Sequence, residues 1–463
     1  VNTLYYQAPG YWVGDCMPFG EGDTFYIFHQ RDDRDPEPLG KPFGWSLVTT
    51  KDFIHYEDHG VVIPHGGERD QDQFIYAGSV CKVDDRYHII YTGYNRNIEN
   101  EGGLSQVPMH AVSSDLYHWQ KVGEPLPFLP QDGYDPSDWR DPWVTRDDEQ
   151  DRYLVLLGAR QPGPKTKRTG RTVCFSSPDF MNWKFEGDFW APDLYTMHEM
   201  PDLFKMGDWW YHIVTEYSDR HGMTYRMSRS LNGPWLQPPD DGLEGSAYYA
   251  ARTFALNGHR ILFGWVGTKE GDQDTGNYEW GGTFVPHEIF QRPDHTLGVK
   301  PVNTLWDGFV DRKPIDDFAM QGDDGRVQRR IADHLGSPFA FEADVRFAPS
   351  TRSFGVVLEE DPETEAGYQF LCKVDENRCT FEGSPNFPWF NTMNIGLTRP
   401  VRLDADSAHH LQVVVDDTIA TLYIDGVALS TRMYRSSGGS VGMFVTDGSL
   451  TLSNAWISNT VRR

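Results

Sequence analysis

Basic residues are scarce for a chain of this length. Lys and Arg total 42 against 68 Asp and Glu, which leaves a formal charge of -26 over 463 residues. A surface with that imbalance repels phosphodiester backbones and anionic lipid, so neither nucleic acid nor a membrane is an expected partner. Cysteine is sparse too. Cys16, Cys81, Cys174, Cys372 and Cys379 follow no zinc-site spacing, and reduced thiols are expected. Cys372 and Cys379 flank the turn-like KVDENR and could face each other on a hairpin. No run of 18 apolar residues occurs, so no helical membrane span is expected. The chain opens VNTLYYQAPGYW, with no Met, basic stretch or apolar leader. A signal peptide is therefore expected to be absent or already removed, and secreted and cytoplasmic locations both stay open. No glycine-rich phosphate loop is present, and no cofactor is expected.

Long helical periodicity is also missing. Short alternating or aromatic-rich runs are broken by Gly, Asp, Asn and Pro: DTFYIFHQ (23–30), RYHIIYTG (86–93), RYLVLLGA (152–159), WWYHIVTEY (209–217) and HRILFGWVG (259–267). Each has strand length, which predicts an all-β architecture. A weak repeat refines this. TTKDFIHY, SSDLYHW and SSPDFMNW share a Ser/Thr, Asp, apolar, aromatic pattern, and SRSLNGPW is a looser copy. Asp52, Asp115 and Asp179 recur at near-equal spacing, each between two strand-like runs, as in the outer hairpin of a propeller blade. Near 310–330 the pattern changes. FAFEADVRFA (339–348), SFGVVLEE (353–360), HHLQVVVDD (409–417) and SVGMFVTDG (440–448) alternate more cleanly, as in a β-sandwich. TIATLYIDGVAL is expected to turn at Asp425-Gly426. Two domains are predicted, a propeller over 1–310 and a sandwich over 325–463. FPWFNTM (387–393) is either part of a binding surface or an ordinary buried loop.

The 15 Trp, 22 Tyr and 27 Phe suit a sugar ligand, whose apolar ring faces stack on aromatic side chains; an aromatic-rich sheet protein would have them as well. Glycosidic bonds are normally cleaved by two carboxyl groups. Among 68 acids the useful cue is a carboxyl group in an apolar or aromatic setting. Three places have it: Asp15 in YWVGDCMPF, Asp141 in DWRDPWV, and Glu199 in YTMHEMPDLF.

These segments resemble glycoside hydrolase family 32, the invertase, inulinase and levanase group. The family's W-x-N-D-P-N-G falls on Trp12 to Pro18, followed by a strand ending in IFHQ with Gln30. Its R-D-P falls on Arg140, Asp141 and Pro142, and its E-C-P-D-L-F on Glu199 to Phe204. Trp45, the Tyr76-Ala77-Gly78-Ser79 segment, Tyr249-Ala250, RILFGWVG and Trp280-Gly281 resemble further family segments in the same order. The resemblance covers about 5–305 and implies a five-bladed β-propeller followed by a β-sandwich. It implies Asp15 as nucleophile, Glu199 as general acid/base and Asp141 as the group that holds sugar hydroxyls. Trp12, Gln30, Trp45, Tyr76, Arg140, His198 and Trp280 are the expected substrate-binding residues, with Arg140 an ion-pair partner that positions a carboxylate. No metal is expected, because Glu199 would both protonate the leaving group and activate water.

The departures concern the sugar more than the chemistry. Gly14 stands at the motif's Asn, Met200 at its Cys, His287 at a later Arg, and Ala247 where an Asp is expected. Lost hydrogen-bonding groups change substrate choice. A retaining β-fructofuranosidase is the leading expectation, acting on an oligosaccharide or polysaccharide. An arabino- or xylo-furanosidase, a transfructosylase (including difructose anhydride chemistry) and a non-catalytic carbohydrate-binding protein are the alternatives.

Overall fold

The computed structural model describes residues 3–123, 127–385 and 396–462; the FPWFNTM segment lies outside the described residues. Strands dominate, as the short alternating runs predict, and the helices Arg96–Asn100 and Asn303–Asp307 are one short turn or so each. The first 300 residues form five antiparallel units. The first holds β1–β4 (Trp12–Glu21, Thr24–Asp32, Trp45–Thr50, Tyr56–Ile63). The second holds β5–β8 (Phe74–Val83, Arg86–Tyr94, Gln106–Ser113, Gln120–Val122), and the third β9–β12 (Trp139–Asp147, Arg152–Arg160, Gly170–Ser177, Lys184–Trp190). The fourth holds β13–β15 (Glu199–Met206, Trp209–Glu216, Gly222–Ser228), and the fifth β16–β19 (Tyr248–Leu256, His259–Lys269, Tyr278–Gln291, Leu297–Lys300). The leading strands touch in a closed ring, β1 to β5 to β9 to β13 to β16 and back to β1. β18 also pairs with β1, at Val13 and Gly282, which joins the last unit to the first in one eight-stranded sheet. A chain closed on itself in this way leaves few open strand edges.

The repeated aspartates explain how the first three units turn from their third to their fourth strand. Asp52 Oδ1 accepts the backbone N–H groups of Ile54 and His55, while Thr50 Oγ1 accepts that of Phe53. Asp115 with Ser113, and Asp179 in the third unit, make the same local bonds. The next residue, Phe53, Leu116 or Phe180, has positive φ (60°, 73° and 63°) and a buried side chain. The Asp carboxylate thus compensates a left-handed backbone position that drives an apolar anchor inward. In the looser fourth copy, Ser228 and Ser230 hydroxyls accept from the turn instead.

After 310 the strands regroup. A seven-stranded sheet contains Phe339–Phe347, His409–Asp416 and Ser449–Ser458; a six-stranded sheet contains Ser353–Leu358, Gly367–Lys373 and Val441–Thr446. Their apolar faces supply one core, including Phe341, Val413, Phe354, Phe370 and Met443, and that core runs on into Phe284 and Ile289 of the fifth unit. The expected hairpin is present: Ile424 pairs with Val427, and Asp425 and Gly426 have φ of 49° and 77°, as a two-residue primed turn requires. Cys372 and Cys379 sit directly opposite each other across strands, and both thiols are free and buried.

Several buried polar contacts fix the later sheets against the ring. Asp416 accepts the N–H groups of Thr3, Leu4 and Tyr5 at 3.0, 3.1 and 2.9 Å. Arg432 donates to the carbonyls of Val266 and Gly267 at 2.9 and 3.1 Å. His287, at the position where the family resemblance would have Arg, is fully buried between Glu244 (3.2 Å) and Tyr423 (2.7 Å). Its departure therefore belongs to this junction.

Candidate active site

All five leading strands carry the same irregularity at the same level. In each, two residues oppose one on the neighbouring strand: Gly14-Asp15 against Gln30, Tyr76-Ala77 against Thr92, Asp141-Pro142 against Leu157, Met200-Pro201 against Val214, and Ala250-Ala251 against Gly264. Asp141, Met200 and Ala250, the first bulge residues in their units, have φ of 61°, 48° and 54°. A bulge re-aims the side chains around it. Here five bulges surround one cavity of about 300 Å³, lined by Asp15, Tyr76, Arg140, Asp141, Glu199 and Tyr249 among others.

Asp15, Asp141 and Glu199 thus arrive at one space from three strands. The Asp15 N–H donates to Gln30 Oε1 at 2.9 Å, and its Oδ1 accepts a long bond from Trp265 Nε1 at 3.3 Å. Burial, then the nearby Asp141 charge, raises the Asp15 carboxyl to about 7. Burial also raises Asp141, with Arg140 opposing. Asp141 is anchored at both ends: its N–H donates to Thr92 Oγ1 at 2.9 Å and its Oδ2 accepts the Met200 N–H at 3.1 Å. Glu199 accepts from Arg140 on Oε1 and from Tyr249 on Oε2, both at 2.7 Å. Arg140 also binds Asp138 at 2.8 Å. The three acids therefore have different surroundings, a single long bond from an indole for Asp15, a double anchor for Asp141 and a cationic clamp for Glu199. Paired carboxyl groups that take different catalytic parts need such differences.

Beneath them lies Arg252, with no solvent exposure. It donates to the carbonyl of Asp141 at 2.7 Å and to that of Gly78, so one guanidinium ties together two neighbouring bulges. Its charge also opposes the rise of the Asp15 and Asp141 carboxyls.

Aromatic rings form the walls. Trp265 and Trp280 meet edge-on at 6.1 Å, Tyr249 lies 5.5 Å from Trp265, and His221 stacks on Tyr249 at 4.5 Å. Trp280 in turn stacks on Phe43. Gly14 makes this wall possible, because a Cβ there would stand 2.2 Å from Trp280 Cη2. The indole occupies the space that a position-14 side chain would fill.

Of the residues expected from sequence to bind substrate, Tyr76, Arg140 and Trp280 line the cavity. The other four do not, each for a packing reason. Gln30 is buried and holds the Asp15 backbone, and Trp45 is buried with its Nε1 donating to the Tyr76 carbonyl at 3.0 Å. His198 is buried against Thr172 and the Leu194 carbonyl, and burial lowers its imidazole to about 3. Trp12 lies under the Arg34 guanidinium. Sequence reasoning missed Tyr249, Trp265 and Arg252 as site residues. Tyr249 and Trp265 fall in segments that carried the family resemblance, and Tyr249 borders the same bulge as Glu199 does in its unit. For Arg252 no signal in the sequence separates it from a surface arginine.

Comparison with known proteins adds to this geometry. The family model described as Glycosyl hydrolases family 32 N-terminal domain matches residues 6–295. A sucrose-6-phosphate hydrolase of Escherichia coli is 26% identical over 332 residues, 65% of this chain and 65% of that protein. One from Bacillus subtilis is 27% identical over 287 residues, 58% of this chain and 55% of the relative. The match thus spans just under two thirds, or less, of these relatives' own length. Among solved structures, fructan 1-exohydrolase IIa from Cichorium intybus superposes with a TM-score of 0.78 at 15% identity, covering 100% of this chain and 97% of that one. Sucrose-6-phosphate hydrolase from Lactobacillus gasseri gives 0.77 at 18% identity, covering 100% and 92%. At such identities the superpositions show a shared fold.

Proposed function

The chain belongs to glycosyl hydrolase family 32, and from that premise we propose that it is a retaining glycoside hydrolase acting on β-fructofuranosides. The observation that carries this reading is the delivery of Asp15, Asp141 and Glu199 to one aromatic-walled cavity by equivalent bulges on three strands. The same reading takes the five units as the blades of a β-propeller over 1–310 and the later sheets as a β-sandwich over 325–463. Residues 313–321 pair with Ser449–Ser458 and so already belong to the seven-stranded sheet.

In the proposed reaction Asp15 attacks the anomeric carbon while Glu199, protonated, gives its proton to the departing oxygen. Water, deprotonated by Glu199, then releases the sugar with its original configuration. Arg140 and Tyr249 hold the Glu199 carboxyl in one orientation, and Asp141 grips ring hydroxyls most strongly as positive charge develops, where binding accelerates the reaction. Both proton transfers use Glu199, so the scheme calls for no metal. Sucrose and fructo-oligosaccharides are the proposed substrates, in keeping with structures of neighbours bound to 1-kestose and sucrose. Time-resolved NMR with sucrose, inulin, levan and arabino- and xylo-furanosides tests the reading. Release of fructose with its configuration first retained is the expected result. First-formed inverted sugar would sink the Asp15 assignment, and turnover of a pentofuranoside alone would reassign the glycone.

Two further results are expected. Because the Asp15 carboxyl lies at about 7 in the free protein, it is protonated and unable to attack below that pH. The value of kcat/KM should therefore fall about tenfold per pH unit on the acid side, with a midpoint near 7. A pH profile on sucrose measures this directly. Gly14→Ala should push Trp280 off the cavity wall and raise KM by roughly tenfold, with a smaller change in kcat. Steady-state kinetics and the near-ultraviolet circular dichroism of Trp280 would report the two effects together.

A further inference from the structure

The cavity is heavily biased in charge. Four carboxylates line it, Asp15, Asp141, Glu199 and Glu279. Among the described lining residues the one Lys or Arg is Arg140, and its guanidinium is already taken by Glu199 at 2.7 Å, Asp138 at 2.8 Å and Gln106 at 3.3 Å. Arg34, behind Glu279, binds that carboxylate at 2.7 Å and the carbonyls of Trp280 and Gly281 at 3.0 and 3.2 Å. The stretches 124–126 and 386–395, outside the described residues, contain no Lys or Arg. The rest of the wall is largely aromatic, with Tyr76, Tyr249, Trp265, Tyr278 and Trp280.

A phosphoryl group carries roughly -1.5 to -2 charges at neutral pH. Sites that accept one supply Arg, Lys or several convergent N–H donors, because a desolvated anion without such partners is strongly disfavoured. Carboxylates suit the opposite ligand, a neutral polyol whose hydroxyls donate to them and whose apolar ring faces meet the indoles.

We infer that this cavity selects uncharged fructosides, such as sucrose and fructo-oligosaccharides, and rejects their phosphorylated counterparts, an inference that rests on the fructosidase reading above. It separates the chain from relatives whose names specify sucrose 6-phosphate. Glu279 is the main determinant outside the three acids assigned to the chemistry. It adds a further carboxyl group to the lining, ion-paired and so ionised, and its contact with Arg34 fixes it there.

The test compares kcat/KM for sucrose, 1-kestose and sucrose 6-phosphate between about 20 and about 300 mM salt, because salt screens repulsion as well as attraction. The expected result is a deficit of at least about 100-fold for the phosphorylated sugar at low salt. Screening should narrow it several-fold while leaving the neutral sugars unchanged, and Glu279→Gln should narrow it further. Equal or faster turnover of sucrose 6-phosphate, or a rate on it that falls as salt rises, would overturn the inference. If no fructoside is hydrolysed at all, the parent reading fails instead. Binding of sucrose and sucrose 6-phosphate, followed through Trp265 and Trp280 fluorescence, then decides the charge preference by itself. Weaker binding of the phosphate upholds it and tighter binding overturns it.

Discussion

Asp15→Asn should abolish turnover, with kcat falling on the order of 10⁴-fold or more, and should at the same time make the protein more stable. The loss follows from the amide's inability to form the glycosyl ester. The gain follows from where the carboxyl sits. In the folded chain, burial and the Asp141 charge raise it to about 7, against roughly 3.9 in an unfolded chain. Between those values the native state binds the proton more tightly than the unfolded state does. Stability is therefore lost as pH rises from about 4 through about 7, and above that the full penalty is present. Asparagine carries no such penalty and still offers Trp265 an acceptor. Above pH 7 the variant should be stabilised by roughly 1–3 kcal/mol, and near pH 4 the difference should vanish. Urea unfolding of both proteins at the two pH values measures this. Equal stability at high pH would show that the carboxyl is well solvated, and the proposed acid limb would lose its basis. A second arm uses Asp15→Ala with azide. Attack by the small anion in place of the missing carboxylate should yield the fructosyl azide of inverted configuration, which identifies Asp15 as the nucleophile and not merely a structural acid.

The aspartate repeat was legible because a turn that buries Phe53, Leu116 or Phe180 through a left-handed backbone needs a side-chain acceptor just before it, and Asp supplies one at each. The three acids were legible because each stands among apolar or aromatic neighbours. The bulges were not. They are set by register between strands, and nothing in Tyr76-Ala77 or Ala250-Ala251 marks a two-against-one pairing. Gln30, Trp45 and His198, which the family resemblance puts beside the motif acids, lie behind the pocket: a motif gives the position along a strand but not the depth. Gly14 reads as a lost asparagine until the Trp280 indole is seen in its space. The departure at 14 then has a packing reason, since glycine leaves room for that indole.

Glu199→Gln should separate the two halves of the reaction. Loss of general acid catalysis is worth about 10²–10⁴-fold, and it should fall fully on sucrose, whose departing glucose oxygen needs a proton. A fructoside with an acidic phenol as leaving group needs no such help, so its first step should be nearly as fast as in the native protein. Water activation also depends on Glu199, so the intermediate on Asp15 should accumulate and appear as a burst of phenol followed by a slow steady rate. The substitution is conservative where it matters for geometry. Gln keeps an oxygen for the Arg140 contact, and its amide can donate to the Tyr249 hydroxyl in place of the present bond. Azide, which requires no base, should restore the second step and give a fructosyl azide of retained configuration, opposite to that from the Asp15 variant. Two variants of neighbouring acids giving opposite stereochemistry with one nucleophile is a result that no purely structural role for either residue could produce. Equal losses on both leaving groups, without a burst, would instead mean that Glu199 serves mainly to hold Arg140, and the acid would have to be sought among the other carboxyl groups of the cavity.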